Sequence, residues 1–263
     1  MAAPLAVDWT GTDVSIGEVE SELARLRRIS VGADGHPNQR TSVMTHIAWV
    51  PPDWIDAELS VRCFPVGERS VCGEVIELVL RGGRSCAPAS IVLPLAISDL
   101  PVFVRWRGEP PFGAIQWEQL VGVADRVIVD SSEWGELRYR DLADAFGRTA
   151  VSDIAWARLE EWRFALAGYW PGIAHAEIAV RGPRAEATLL RGWLAGRLGR
   201  RLPPVVPAGE IGVRLDGEEV APPAEEPRSP SDLLSAELDL LVRDPVYEAA
   251  VIAAGAAAAG LSI

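Results

Sequence analysis

Ser90-Ile91-Val92-Leu93-Pro94-Leu95-Ala96-Ile97-Ser98-Asp99-Leu100-Pro101-Val102-Phe103-Val104-Arg105-Trp106-Arg107 decides how this chain is read. Its first half is apolar over helix length, breaks at Ser98-Asp99, restarts at Val102 and ends on Arg105-Trp106-Arg107. The pattern predicts a buried helix over 88–97, kinked at Pro94, feeding a buried strand with a charged mouth. The same grammar continues with a helix over 116–124, a strand at Arg126-Val127-Ile128-Val129-Asp130 and a helix over 136–146. An all-apolar strand centre between charges suits a parallel strand covered on both faces. The expected class is therefore α/β, with a doubly wound, mostly parallel N-terminal sheet in residues 1–150. Arg105-Trp106-Arg107 and Asp130-Ser131-Ser132 fall at the carboxyl ends of two of its strands, where such sheets bind ligands or partners.

Upstream, Ser15-Ile16-Gly17-Glu18 has capping-box spacing, and Ile16, Val19, Leu23 and Leu26 recur at helical intervals. Strands are expected at 41–50, ended by Pro51-Pro52, and at 59–64 and 71–80. In the last of these Ile76, Leu78 and Leu80 share a face, and Glu74 and Glu77 read as solvated near an edge. Residues 151–263 read as a smaller α+β domain. Trp156, Leu159, either Trp162 or Arg163, and Leu166 line one stripe of a helix starting at Asp153, and further elements follow at 178–180 and 185–198. Asp216-Gly217 is the favoured type I′ hairpin dipeptide, and Ser229-Pro230 opens a helix. The alanine-rich stretch from Ala249 reads as a packed terminal helix rather than an anchor, because small side chains and two glycines make it weakly hydrophobic.

Charge and composition narrow the function. The net charge of −12 disfavours nucleic acid and anionic membranes as partners, and every basic side chain is Arg. Three cysteines, Cys63, Cys72 and Cys86, fit neither a zinc ribbon nor a redox motif and suit a reducing cytoplasm. The N-terminus lacks the basic region of a signal peptide. No dinucleotide fingerprint, phosphate loop, nucleophile elbow or zincin motif occurs, so no cofactor is expected. His36, His46 and His175 stand alone, Asp99 and Asp153 read as helix caps, and Asp125 beside Arg126 reads as a local ion pair. Trp9, Trp54, Trp106, Trp117 and Trp134 sit in loops or at element ends, where interface anchoring explains them better than core packing. An interaction protein becomes the leading class. Its rival is a sugar-phosphate-binding α/β enzyme or sensor, with Arg105, Arg107 or Arg126 clamping phosphate.

Ala89-Ser90-Ile91-Val92-Leu93-Pro94-Leu95, Asp99-Leu100-Pro101-Val102, Trp106, and Ala124-Asp125-Arg126-Val127-Ile128-Val129-Asp130-Ser131 form an ordered set. Asp153-Ile154-Ala155-Trp156-Ala157-Arg158, Trp162-Arg163, Gly192-Trp193-Leu194 and Asp244-Pro245-Val246-Tyr247 extend it. In this set the chain resembles the glucose-6-phosphate dehydrogenase assembly protein family, OpcA. The resemblance implies a non-catalytic partner of glucose-6-phosphate dehydrogenase that promotes its active oligomer and supports the oxidative pentose phosphate pathway. The residues carrying that contact are expected at exposed Trp106 with Arg105 and Arg107, and at Asp130, Ser131 and Ser132. Compared with the family, the segment 50–57 is short, consistent with the absence of one strand-helix unit, and Arg105-Trp106 stands where paired tryptophans are usual.

Overall fold

The computed structural model describes residues 5–30, 40–45, 55–66, 69–80, 86–96, 101–223, 228–240 and 242–258. The expectations at His36, His46, Pro51-Pro52, Trp54 and Asp99 lie outside them. The class is mixed α/β, and the chain forms two compact units, residues 1–127 and 128–263.

The first unit runs β1 (Leu5–Val14), α1 (Ile16–Ser30), β2 (Arg40–Thr45), β3 (Ile55–Val66), β4 (Arg69–Leu80), α2 (Ala89–Leu95), β5 (Val102–Arg105) and α3 (Ile115–Val123). β3 pairs antiparallel with both β1 and β4, whereas β2 lies between β4 and β5 and is parallel to both. The capping box forms as expected. Ser15 N and Oγ donate to Glu18 Oε2 at 2.7 and 2.8 Å, and Glu18 N donates back to Ser15 Oγ at 3.2 Å. Val19, Leu23 and Leu26 of α1 are buried, each contributing on the order of 2 kcal/mol by leaving water. In α2 Pro94 lies in the last turn and the helix stops one residue later, so the expected kink is a termination.

Glu74 corrects the sequence reading. β4 lies between β3 and β2 and is not an edge, and strand alternation puts residue 74 on the face of Ile76, Leu78 and Leu80. Glu74 is 0% exposed. Its carboxylate receives the Arg27 guanidinium from α1, Nε at 3.1 Å from both oxygens and Nη2 at 2.9 Å from Oε2. Arg27 Nη2 also donates to the Leu95 carbonyl at 2.8 Å, satisfying a terminal carbonyl of α2. Glu77, on the other face, is exposed as expected. The backbone register sets Cys63 opposite Cys72, a relation that their spacing does not suggest.

β6 (Arg126–Val129) crosses the boundary between the units and neighbours β7 (Ala150–Asp153), with α4 (Tyr139–Ala143) between them in the chain. The second unit continues with α5 (Ile154–Ala157), α6 (Glu160–Ala167), β8 (Ile178–Gly182), α7 (Arg184–Leu198), β9 (Val206–Pro207), β10 (Gly212–Leu215), β11 (Glu218–Glu219), α8 (Pro230–Leu238) and α9 (Pro245–Ala258). The single helix expected from Asp153 is instead a strand end followed by two short helices, α5 and α6. Its stripe survives, with Trp156, Leu159, Trp162 and Leu166 all buried. Asp216 and Gly217 have φ of 53° and 85°, the two positive values of a type I′ turn. Ser229 Oγ accepts from Asp232 N at 3.1 Å with Pro230 at the first helical position. The alanine-rich helix α9 packs on α7 at a glycine: a Cβ on Gly192 would stand 2.6 Å from the Ala250 carbonyl oxygen.

Candidate partner-binding site

In the first unit β5 buries Phe103 and Val104 and delivers the charged mouth. Trp106 is not exposed as the sequence suggested. Only 2% of it is accessible, and its ring meets Trp117 edge-on at 6.1 Å, while Phe112 approaches Trp117 from 5.2 Å. Trp117 is itself buried, so both indoles belong to the core and neither is a surface anchor. The chain turns at Gly108 (φ 71°) and doubles back through Pro110-Pro111, which lays Phe112 on the pair. Arg107 is exposed and Arg105 half-buried beside the sequestered indole. Arg126 is 1% exposed, which removes it as a phosphate clamp at the surface. The Asp125 carboxylate accepts from Val102 N at 2.8 Å, so it ties the start of β5 to the loop before β6.

In the second unit the ends of β6 and β7 bring Asp130, Ser131 and Ser132 together with residues the sequence reading did not assign to the site. Asp130 Oδ1 accepts from Ser132 N and Oγ at 3.2 and 2.5 Å. The Arg158 guanidinium grips both oxygens of Asp130, at 3.1 and 2.7 Å, and donates to Glu186 Oε1 at 3.1 Å. Such a fork-to-carboxylate pair is among the stronger charge-assisted contacts. Asp130 and Ser131 are buried by it, leaving Ser132 exposed. Trp134, expected at an interface, is 4% exposed and lies against the Tyr139 ring at 5.9 Å.

Behind this pair sits Asp153, fully buried at the end of β7. One oxygen accepts from Ser131 N at 3.0 Å and, as the expected helix cap, from Ala155 N at 2.9 Å. The other oxygen is buried without a hydrogen-bond partner among the described residues. Burial pushes the Asp153 carboxyl up to about 7, Asp130 adding to the rise and the Ser131 and Ala155 hydrogen bonds opposing it. Burial and the charge of Asp153 hold the phenols of Tyr139 and Tyr247 well above their ordinary range. With two carboxylates on one guanidinium, the Asp130–Arg158–Glu186 cluster is not an anion site. Its guanidinium is shared between the two carboxylates, and the second oxygen of Glu186 is buried without a hydrogen-bond partner among the described residues. Among the described residues no group of His, Cys, Asp and Glu is placed to hold a metal, and no helix is long and apolar enough to cross a membrane.

Arg158, Asp153 and Glu186 could be found in the sequence only in part. Asp153-Ile154-Ala155-Trp156-Ala157-Arg158 stands out as a block, but nothing local links it to Glu186 or to Asp130, which are 28 residues away on either side.

Residues 38–144 match the family model described as the glucose-6-phosphate dehydrogenase subunit N-terminal domain. Three curated relatives carry the name OxPP cycle protein OpcA. That of Synechococcus elongatus is 29% identical over 165 residues, covering 55% of this chain and 36% of the relative. Those of Nostoc punctiforme and Synechocystis are 28% and 27% identical over 163 residues, covering 55% of this chain and 34% of each relative. The chain thus spans about a third of the length of the curated relatives it matches. Over residues 38–144 the chain is similar to the N-terminal domain of the glucose-6-phosphate dehydrogenase assembly protein family, OpcA.

Proposed function

We propose that the protein binds glucose-6-phosphate dehydrogenase in the cytoplasm and acts as a non-catalytic assembly factor and allosteric activator, supporting the oxidative pentose phosphate pathway. The observation that carries this reading is the family match over residues 38–144. The sheet-end chemistry agrees with it. Asp130 and Ser132 are hydrogen-bonded to each other and to Arg158, which also reaches Glu186, and these links build a fixed corner at the strand end.

The contact is assigned to the two strand ends, one in each unit. In the first, buried Trp106 acts as the peg that fixes the backbone, and Arg105 and Arg107 present charge to the partner. In the second, Ser132 is the accessible member, and Asp130 and Ser131 hold it in place. Arg107→Glu tests the first. Binding of the folded variant to the cognate dehydrogenase should weaken, its fold being verified by a cooperative melt; equal affinity of the folded variant would remove that strand end from the contact.

A further inference from the structure

A groove of about 660 Å³ lies in the second unit, walled by α6, the turn after it, α7 and the start of α9. Leu166, Trp170, Trp193 and Val246 make its lining apolar, and among the described residues its only charged side chains are Arg163 and Arg197. In a chain of net charge −12 this is a local reversal of sign. Arg163 is held in place, 3.8 Å over the Trp156 ring. Arg197 is exposed, in the last turn of α7, and makes no hydrogen bond or ion pair among the described residues. Arg163 also lines an adjoining cavity of about 190 Å³ together with Glu160, Glu237 and Asp244, whose charges act on it, so Arg197 is the groove's uncompensated cation.

Trp170 decides what kind of occupant fits. It is 65% exposed, an unusual position for the largest apolar side chain, and it leaves one wall of the groove standing in solvent. Small-molecule sites enclose roughly 70–90% of their ligand. An open groove between helices, with aromatic and Arg side chains at its rim, has instead the make-up of a protein-docking site, where Trp and Arg dominate the binding energy.

We infer that this groove is a second docking surface, on which an amphipathic segment of the dehydrogenase seats apolar side chains against Trp170 and Trp193 and a carboxylate against Arg197. The inference rests on the association proposed above and adds a site to it. Charge complementarity picks the occupant: an acidic flank on the incoming segment meets the Arg197 guanidinium and, among the described residues, no carboxylate in the groove wall.

The test is a titration of the full chain with its cognate dehydrogenase at low and moderate salt, comparing the native protein with Trp170→Ala, Arg197→Glu and Arg197→Lys. Trp170 and Arg197 are exposed, so an unchanged melting temperature verifies that each variant is folded. Trp170→Ala and Arg197→Glu should each bind at least about tenfold more weakly, as expected of interface anchors, with Arg197→Lys close to native. Native binding together with unchanged affinity in both folded variants overturns the groove and leaves the association standing. No binding by the native chain overturns the association and the groove with it.

Discussion

Two fully buried carboxylates, Glu74 in the first unit and Asp153 in the second, are kept in the core by opposite means. Glu74 sits mid-strand and is met by a guanidinium from a helix packed over it, with three donor contacts of 2.9–3.1 Å. Asp153 sits at a strand end and, among the described residues, receives two backbone N–H groups, both on one oxygen. A buried charge is tolerable when an opposite charge meets it; without one, the group moves its proton instead. The first device ties α1, β4 and α2 together. The second stores a group that changes charge near neutral pH at the base of the Asp130–Arg158–Glu186 cluster.

The contrast is broken most severely from the Arg27 side. Arg27→Ala leaves Glu74 buried without its guanidinium and should cost about 3–5 kcal/mol in chemical denaturation, the range for removing one partner of a buried pair. Glu74→Ala should cost less, because the Arg27 side chain keeps 21% of its surface accessible and can turn to water. Equal losses would mean that the pair is not asymmetric in burial as described.

Asp153 gives the second test, through pH. Its folded-state value of about 7 lies above the ordinary 3.8, so the folded protein holds a proton that the unfolded chain has released. Stability is then greatest below about pH 4 as far as this group is concerned. It falls as pH rises toward 7, by up to roughly 1.4 kcal/mol for each pH unit, and levels off above the folded value. Asp153→Asn keeps an acceptor for Ser131 N and Ala155 N and should flatten that slope, measured as unfolding free energy at pH 5 and pH 8. A slope unchanged by the substitution would place the titration elsewhere.

The smallest effect sharpens the comparison at the surface. Glu58 and Glu77 are register partners on the exposed face of β3 and β4, two like charges directly opposite. Glu58→Arg should stabilise by about 0.2–1 kcal/mol at low salt, and the gain should fade as salt is added.

What the sequence could reveal was set by how local the cause is. Capping at Ser15 and Ser229, the Asp216-Gly217 turn and the helix cap at Asp153 depend on residues two or three apart, and all are present. Glu74 was misread because alternation puts it with Ile76 and Leu78, yet only a partner 47 residues away makes that face tolerable. Trp106, Trp117 and Trp134 were misread for a related reason. An indole at an element end is a surface anchor or a core peg depending on whether another ring arrives, and Trp117 and Tyr139 do arrive. Conversely Trp170, in a turn after α6, carries no local mark of its exposure. The strand β1 went unread because Asp8, Thr10, Thr12 and Asp13 dilute its apolar positions, and it forms through pairing with β3.

The proposed association with the dehydrogenase is tested by sedimentation of the purified full chain mixed with its cognate glucose-6-phosphate dehydrogenase, followed by assay of the same mixture. The expected result is a joint, larger species and a raised apparent affinity of the enzyme for glucose 6-phosphate. Separate sedimentation of the two proteins with unchanged kinetics would contradict it.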